Sequence, residues 1–254
     1  MRILITNDDG IDAPGLHALR QIAGELSRDV WVVAPETNQS GAGHSLTLHE
    51  PLRIRQLDER AFAVRGTPTD SVIMGVRHVL QGKVPDLVLS GVNRGANLAE
   101  DVTYSGTIAG AFEGTLLGAR SVALSQAFGF EPGRGIRWQT AIAHGPALIR
   151  KLLAVEWAPN TLVNVNFPDR EPADVAGLVV TRQGRRDPGL LQIDERLDTW
   201  GNPYYWLAFE RRRSAAREGT DLWAIYNGHI SVTPLSLDLT CDPMRDALTR
   251  GLAR

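Results

Sequence analysis

Arg2-Ile-Leu-Ile-Thr6, running straight into Asn7-Asp8-Asp9-Gly10 and then into a helical stretch at Pro14–Leu26, decides the fold. A short β-branched apolar run reads as a buried strand. The same unit recurs along the chain. Residues 30–34 (VWVVA), 86–90 (DLVLS), 121–125 (SVALS) and 162–166 (LVNVN) read as further core strands. Helical stretches at 68–80, 107–118 and 137–153 fall between them. Near-continuous apolar strands suit a parallel sheet covered on both faces. Alternating strand and helix predicts an α/β fold, a doubly wound and mostly parallel sheet.

After about residue 168 the organisation changes. Residues 177–181 still read as a strand, but 183–217 are charged, aromatic and poor in helical period. Asn202-Pro203 and the extended segment after it predict a protruding β-hairpin. Trp138, Trp157, Trp200 and Trp206 lie in the second half of the chain, which is therefore more than a solvated tail. Arg211-Arg212-Arg213 reads as a solvated face, with a basic binding patch as the other reading. Residues 229–235 predict a last strand and 243–252 a terminal helix. The expected division is a body of residues 1–182 completed by 218–254, and an inserted hairpin or oligomerisation segment at 183–217.

Composition bounds the function. With 254 residues, 43% apolar and 22% charged, the chain suits an ordinary globular protein with a sizeable core. A formal charge of −2 offers no electrostatic reason to expect a nucleic-acid or membrane partner. The single cysteine, Cys241, points to a reducing compartment. Two carboxylates stand where a signal peptide would need its apolar stretch, so a cytoplasmic protein is expected.

The polar residues fall at the ends of the strands. The first strand ends in Asn7-Asp8-Asp9-Gly10, the second runs into residues 34–41 (APETNQSG), and the third into 91–97 (GVNRGAN). In an open parallel sheet these ends share one edge, where ligands bind. Adjacent carboxylates at Asp8 and Asp9 repel each other unless a cation or hydrogen bonds offset the charge. Oxygens from Asp8, Asp9, Ser40 and Asn93 form a hard ligand set suited to magnesium, manganese or calcium. Alone, the Asp pair reads first as a turn closing a strand; convergence with Ser40 and Asn93 reverses this in favour of a metal site.

Ser105-Gly106-Thr107 precedes a small-residue helix. Its exposed amides, the helix dipole and the two hydroxyls suit a phosphate, although the same residues serve as a plain helix cap. Thr67-Pro68-Thr69-Asp70 reads as a helix start and no more. His44, after the Ser40 loop, is a candidate phosphate contact or proton donor, with a structural role as the plainer reading. Cys241 lacks a strand-to-helix elbow and an adjacent base. There is no GxGxxG after the first strand, no GxxxxGK[ST] and no GxSxG, which disfavours dinucleotide oxidoreductases, P-loop enzymes and α/β-hydrolases.

Five ordered blocks, NDDG (7–10), NQSGAGHSLT (38–47), GTPTD (66–70), GVNRGANL (91–98) and YSGTIAGAFEG (104–114), closely resemble the SurE family of survival-protein nucleotidases. VTRQGRR (180–186) and GTDLWAIYNGHISVTPL (219–235) extend the likeness over nearly the whole chain. The resemblance implies a Rossmann-like fold and hydrolysis of nucleoside 5′- or 3′-monophosphates. It implies one divalent metal per subunit, magnesium or manganese, on Asp8, Asp9, Ser40 and Asn93. Asn97 and Ser105 to Thr107 would line the phosphate. It further implies a homodimer or homotetramer with exchanged C-terminal segments. Arg94, inside GVNRG, either lies near the phosphate and alters substrate preference or points to solvent.

The expected reaction uses Asp8 or Asp9, whichever is freer, to orient or deprotonate water, with amides around Gly106 on the phosphate. Covalent attack by Asp8 is the competing route. The alternatives are an exopolyphosphatase or general phosphomonoesterase, and a non-catalytic nucleotide-binding module.

Overall fold

The computed structural model describes residues 1–129, 135–187, 191–209 and 213–253. In chain order the elements begin with β1 (Arg2–Thr6), α1 (Pro14–Leu26), β2 (Asp29–Pro35), β3 (Arg53–Asp58), β4 (Ala61–Arg65) and α2 (Pro68–Ile73). A π-helical turn, Met74–Val79, prolongs α2. Next come β5 (Leu87–Arg94), α3 (Gly106–Leu116), β6 (Arg120–Gln126), α4 (Trp138–Leu153) and β7 (Thr161–Phe167). The chain continues through β8 (Leu178–Val180), β9 (Leu191–Leu197), β10 (Pro203–Phe209), α5 (Asp221–Tyr226), β11 (Ile230–Ser236) and α6 (Asp242–Leu252).

Nine strands pair in the order β3-β4-β2-β1-β5-β6-β7-β11-β8. The six from β4 to β7 are mutually parallel. β3 closes one edge antiparallel to β4, while β11 runs antiparallel to β7 and carries β8 parallel to itself. This is the expected doubly wound, Rossmann-like α/β sheet.

Alternation along β1 shows how the layers form. Ile3 and Ile5 pack with Leu16, Leu19 and Ile22 of α1 and with Ile149 of α4, whereas Leu4 packs with Val72 and Val76 on the opposite side. Successive side chains of a strand point to opposite faces, so a strand buried on both sides must be apolar throughout. α1 and α4 therefore cover one face of the sheet. β2 lies on one side of β1 and β5 on the other. The crevice where the strand order reverses thus opens between the ends of β1 and β5, the place where such sheets bind ligands.

The sequence reading omitted β3, β4 and α5. The outward face of β3 is mostly exposed and polar, so its period does not register as a core strand. α5 is barely a turn and a half, capped by Thr220 accepting from Trp223 N–H. At Thr67-Pro68 the expected helix start is present: Thr67 and Asp70 form a reciprocal capping box. Asp70 also accepts from Thr47 N–H (3.1 Å) and Thr47 Oγ1 (2.6 Å), tying the segment after the Ser40 loop to α2.

β9 and β10 form a separate two-stranded antiparallel sheet, the hairpin expected near Asn202-Pro203. Ile193, Leu197, Trp200, Tyr205, Trp206 and Leu207 are all exposed on and around it. Arg211 and Arg212 of the basic run lie outside the described residues; the Arg213 guanidinium sits 5.0 Å from the Tyr226 ring centre. α6 buries none of its residues. No helix among the described residues is long and apolar enough to cross a membrane.

Candidate active site

β1 carries Asp8 and Asp9 to the crevice. Asp8 is buried, and Thr107 Oγ1 donates to its Oδ1 at 2.6 Å. Gly106 packs against the same side chain. A Cβ at Gly106 would lie 2.7 Å from Asp8 Cβ, 3.1 Å from Asp8 Oδ2 and 3.1 Å from Pro68 Cγ. Only a hydrogen there lets the start of α3 approach the carboxylate. Gly106→Ala is expected to destabilise the chain by about 1–3 kcal/mol as helix and carboxylate are forced apart. Thermal unfolding checks this, and a midpoint equal to that of the parent would show that the contact yields at no cost.

Burial pushes the Asp8 carboxyl up to about 6 from an ordinary 3.8, the Thr107 hydroxyl opposing the rise and the charge of Asp9 adding to it. Among the described residues no basic side chain forms an ion pair with either carboxylate. Asp9 is the more open of the two, and its Oδ2 accepts from Arg94 N–H at 3.1 Å.

The loops after β2 and β5 are tied to this pair through their backbones. Gln39 N–H donates to Asp8 C=O at 2.7 Å, which brings Ser40 to the edge of the crevice. Ser40 N–H in turn donates to Asn38 Oδ1. Asn93 directly precedes the residue bound to Asp9, and its Nδ2 donates to Gly95 C=O at 2.9 Å. Backbone contacts thus link the loops that carry Ser40 and Asn93 to the Asp8–Asp9 turn. No three His, Cys, Asp or Glu side chains cluster as a metal site among the described residues. A cation at Asp8 and Asp9 would therefore complete its shell from neutral oxygens such as those of Ser40 and Asn93.

α3 points its N-terminus into the same place. Ser105 caps it by accepting from Ile108 N–H at 3.1 Å, while the N–H groups of Gly106 and Thr107 have no acceptor within the helix. Asn97, also buried, is held on every side. Its N–H donates to Asn166 Oδ1 and its Nδ2 to Ser125 Oγ, both at 2.8 Å. Its carbonyl accepts from Asn164 and Asn166. His44 lies further out: Nε2 meets Glu113 Oε2 at 3.1 Å, and the ring tilts against Phe112.

Sequence reasoning missed Ser125, Asn164, Asn166 and Glu113. The first three sit at or near the C-terminal ends of β6 and β7, so the strand-end rule that found Ser40 and Asn93 would have found them too. It also missed a clamp beneath the crevice. Buried Asp221 accepts from Ala99 N–H (2.9 Å), Gly184 N–H (2.8 Å) and Leu222 N–H (2.7 Å). Arg186 pairs with Asp101 beside it. The QGRR segment thereby fixes the turn that follows Asn97. His229, which has no metal-ligand spacing, stacks on Trp223 with ring centres 5.7 Å apart.

Residues 3–189 match the family model for Survival protein SurE. A protein named 5′-nucleotidase SurE from Methylobacterium radiotolerans is 62% identical over 254 residues, covering 100% of both chains. The chain belongs to the SurE family. A second family member, 5′-nucleotidase SurE from Parvibaculum lavamentivorans, is 57% identical over 99% of this chain and 91% of its own. The crystal structure of the SurE protein from Aquifex aeolicus superposes with a TM-score of 0.85 at 42% identity, covering 98% of this chain and 99% of that one. The SurE fold here therefore includes the peripheral strands as well as the central sheet.

Proposed function

We propose that this SurE-family chain is a cytoplasmic, metal-dependent 5′-nucleotidase that hydrolyses nucleoside monophosphates to nucleoside and phosphate. The observation that carries the reading is the Asp8–Asp9 pair, without a basic partner among the described residues and set against the N-terminus of α3. The names of the full-length relatives support the same activity.

Two adjacent carboxylates, one of them buried, flanked by hydroxyl and amide oxygens, fit a hard divalent cation such as magnesium or manganese. Asp8, Asp9, Ser40 and Asn93 would hold such an ion, which would supply charge neutralisation at the phosphate and a lowered pKa for water. The chain's own residues do the rest. The N–H groups of Gly106 and Thr107 receive phosphate oxygens at the positive end of α3. Thr107 holds Asp8 in one orientation, and Asp9, the freer carboxylate, orients the attacking water and accepts its proton. Asn97 is pre-positioned from below by Ser125, Asn164 and Asn166, so little ordering remains to be done on binding. Glu113 engages His44 Nε2 and leaves Nδ1 as the ring atom open to a phosphate or leaving group. Cleavage of 3′-monophosphates uses the same centre with the nucleoside reversed.

An isolated two-stranded hairpin is marginally stable. The exposed aromatic residues of β10 and its preceding turn and the unburied α6 therefore fit a homodimer or homotetramer that shares its C-terminal segments.

Phosphate release from AMP, GMP, ribose 5-phosphate and short polyphosphate, assayed with manganese or magnesium, tests the activity. Both nucleotides are expected to exceed the other two by at least about tenfold in kcat/KM. Equal rates across the panel would indicate a general phosphomonoesterase, and no release from any would leave a nucleotide-binding module.

A further inference from the structure

Asp9 also lines a cleft of about 420 Å³. Beside Asp9, Pro14 and Ile136 give apolar wall, and Asn38, Arg94 and Trp138 add polar and aromatic surface. Close packing of α1 on β5 shapes it. A Cβ at Gly15 would fall 1.9 Å from Val92 C=O and 3.1 Å from Trp138 Cη2, so glycine lets the helix end, the strand and the indole edge meet. Trp138, the first residue of α4, is only partly buried; part of the indole packs on the core and part faces the cleft. Arg94 is exposed, its N–H fixed to Asp9, and its guanidinium makes no ion pair among the described residues.

These features match what a nucleoside requires. The volume lies within the range of small-ligand sites, which are mostly apolar with a few placed polar groups. An indole offers a flat face for any base, and a guanidinium offers donors and a second planar surface. Asp9 lines the cleft and Asp8, the preceding residue, touches the start of α3, so the cleft adjoins the proposed phosphate position.

We propose that the cleft between α1, Arg94 and Trp138 is the nucleoside subsite, with Trp138 stacking on the base and Arg94 contacting the base edge. The inference rests on the nucleotidase reading and adds to it the residues that choose a nucleotide over a bare sugar phosphate.

Calorimetric binding of adenosine, which carries no phosphate, tests the cleft apart from catalysis. Trp138→Ala is expected to weaken adenosine binding by about 5- to 150-fold, the range that base–aromatic stacking spans. kcat/KM on AMP should fall by a similar factor through KM, and on ribose 5-phosphate it should stay within about twofold of the parent. Trp138→Phe should restore most of the loss. Because the indole also touches the core, Arg94→Ala is the companion variant, and it should weaken adenosine binding with an unchanged thermal midpoint. Adenosine binding that is undetectable in the parent, or unaltered by both substitutions, overturns the subsite. So does an equal loss on AMP and ribose 5-phosphate, which would make Trp138 merely structural. Adenosine binding that both variants weaken, in a protein that releases no phosphate from AMP, would uphold the subsite and overturn the nucleotidase reading instead.

Discussion

Asp8→Asn is expected to lower phosphate release from AMP by about a thousandfold or more, because it removes one of the two carboxylates proposed to hold the cation that orients water and opposes the developing negative charge. The expected structural cost is small. Asparagine keeps the shape of the side chain and can still accept from Thr107 Oγ1. Stability should even rise in the chelated protein. Burial holds the Asp8 carboxyl at about 6, above its ordinary 3.8. Between those values the folded chain binds more protons than the unfolded one, so stability falls as pH rises through that window. Above it the folded state carries a deficit of about 3 kcal/mol, which Asp8→Asn relieves. Thermal unfolding of chelated parent and variant from about pH 4 to 8 measures the difference. A variant with full activity would take Asp8 out of the chemistry, and parallel pH profiles for the two proteins would remove the buried charge from the account.

Chelation of the parent protein is expected to abolish phosphate release and to lower the thermal midpoint, with magnesium or manganese restoring both. The reason is the uncompensated pair. Burial of Asp8, joined by its repulsion with Asp9, outweighs the hydrogen bond from Thr107 and leaves the carboxylate costly to charge. A cation at a hundred times its dissociation constant adds about 2.7 kcal/mol to a folded state that alone binds it. For a chain of this size that is a midpoint shift of roughly 5–10 °C. Zinc should substitute poorly, because the donors are hard oxygens without thiolate or imidazole. Undiminished activity after exhaustive chelation would defeat the metal-dependent reading, and would leave Asp9 and the end of α3 to carry the chemistry unaided.

Much of this architecture was legible from local pattern. β1 and α1 have the boundaries that their periodicity predicts, and β2, β5, β6 and β7 differ from the expected strands by a few residues at their ends. The helical reading of residues 68–80 resolves into α2 and a π-helical turn, a change of hydrogen-bond spacing that leaves the apolar pattern almost untouched. β3 and α5 escaped because one turns a polar face outward and the other is too short for a period to develop. The Asp8–Asp9 turn was recognisable because strand ends of a parallel sheet are forced to one rim, wherever they lie in the chain.

Sequence by itself determined the alternation of strand and helix, the apolar strands of a sheet covered on both faces, and the set of polar loops along its binding edge. All of these follow from side-chain periodicity, which local backbone geometry imposes. Tertiary structure alone decided which polar groups meet. Thr107 reaches Asp8 across 99 positions, Asn166 reaches Asn97 across 69 and Asp221 reaches Ala99 across 122. Such partners are selected because a buried donor or acceptor must be satisfied wherever packing happens to place it. That requirement has no period, so it becomes visible only once the strands are in order.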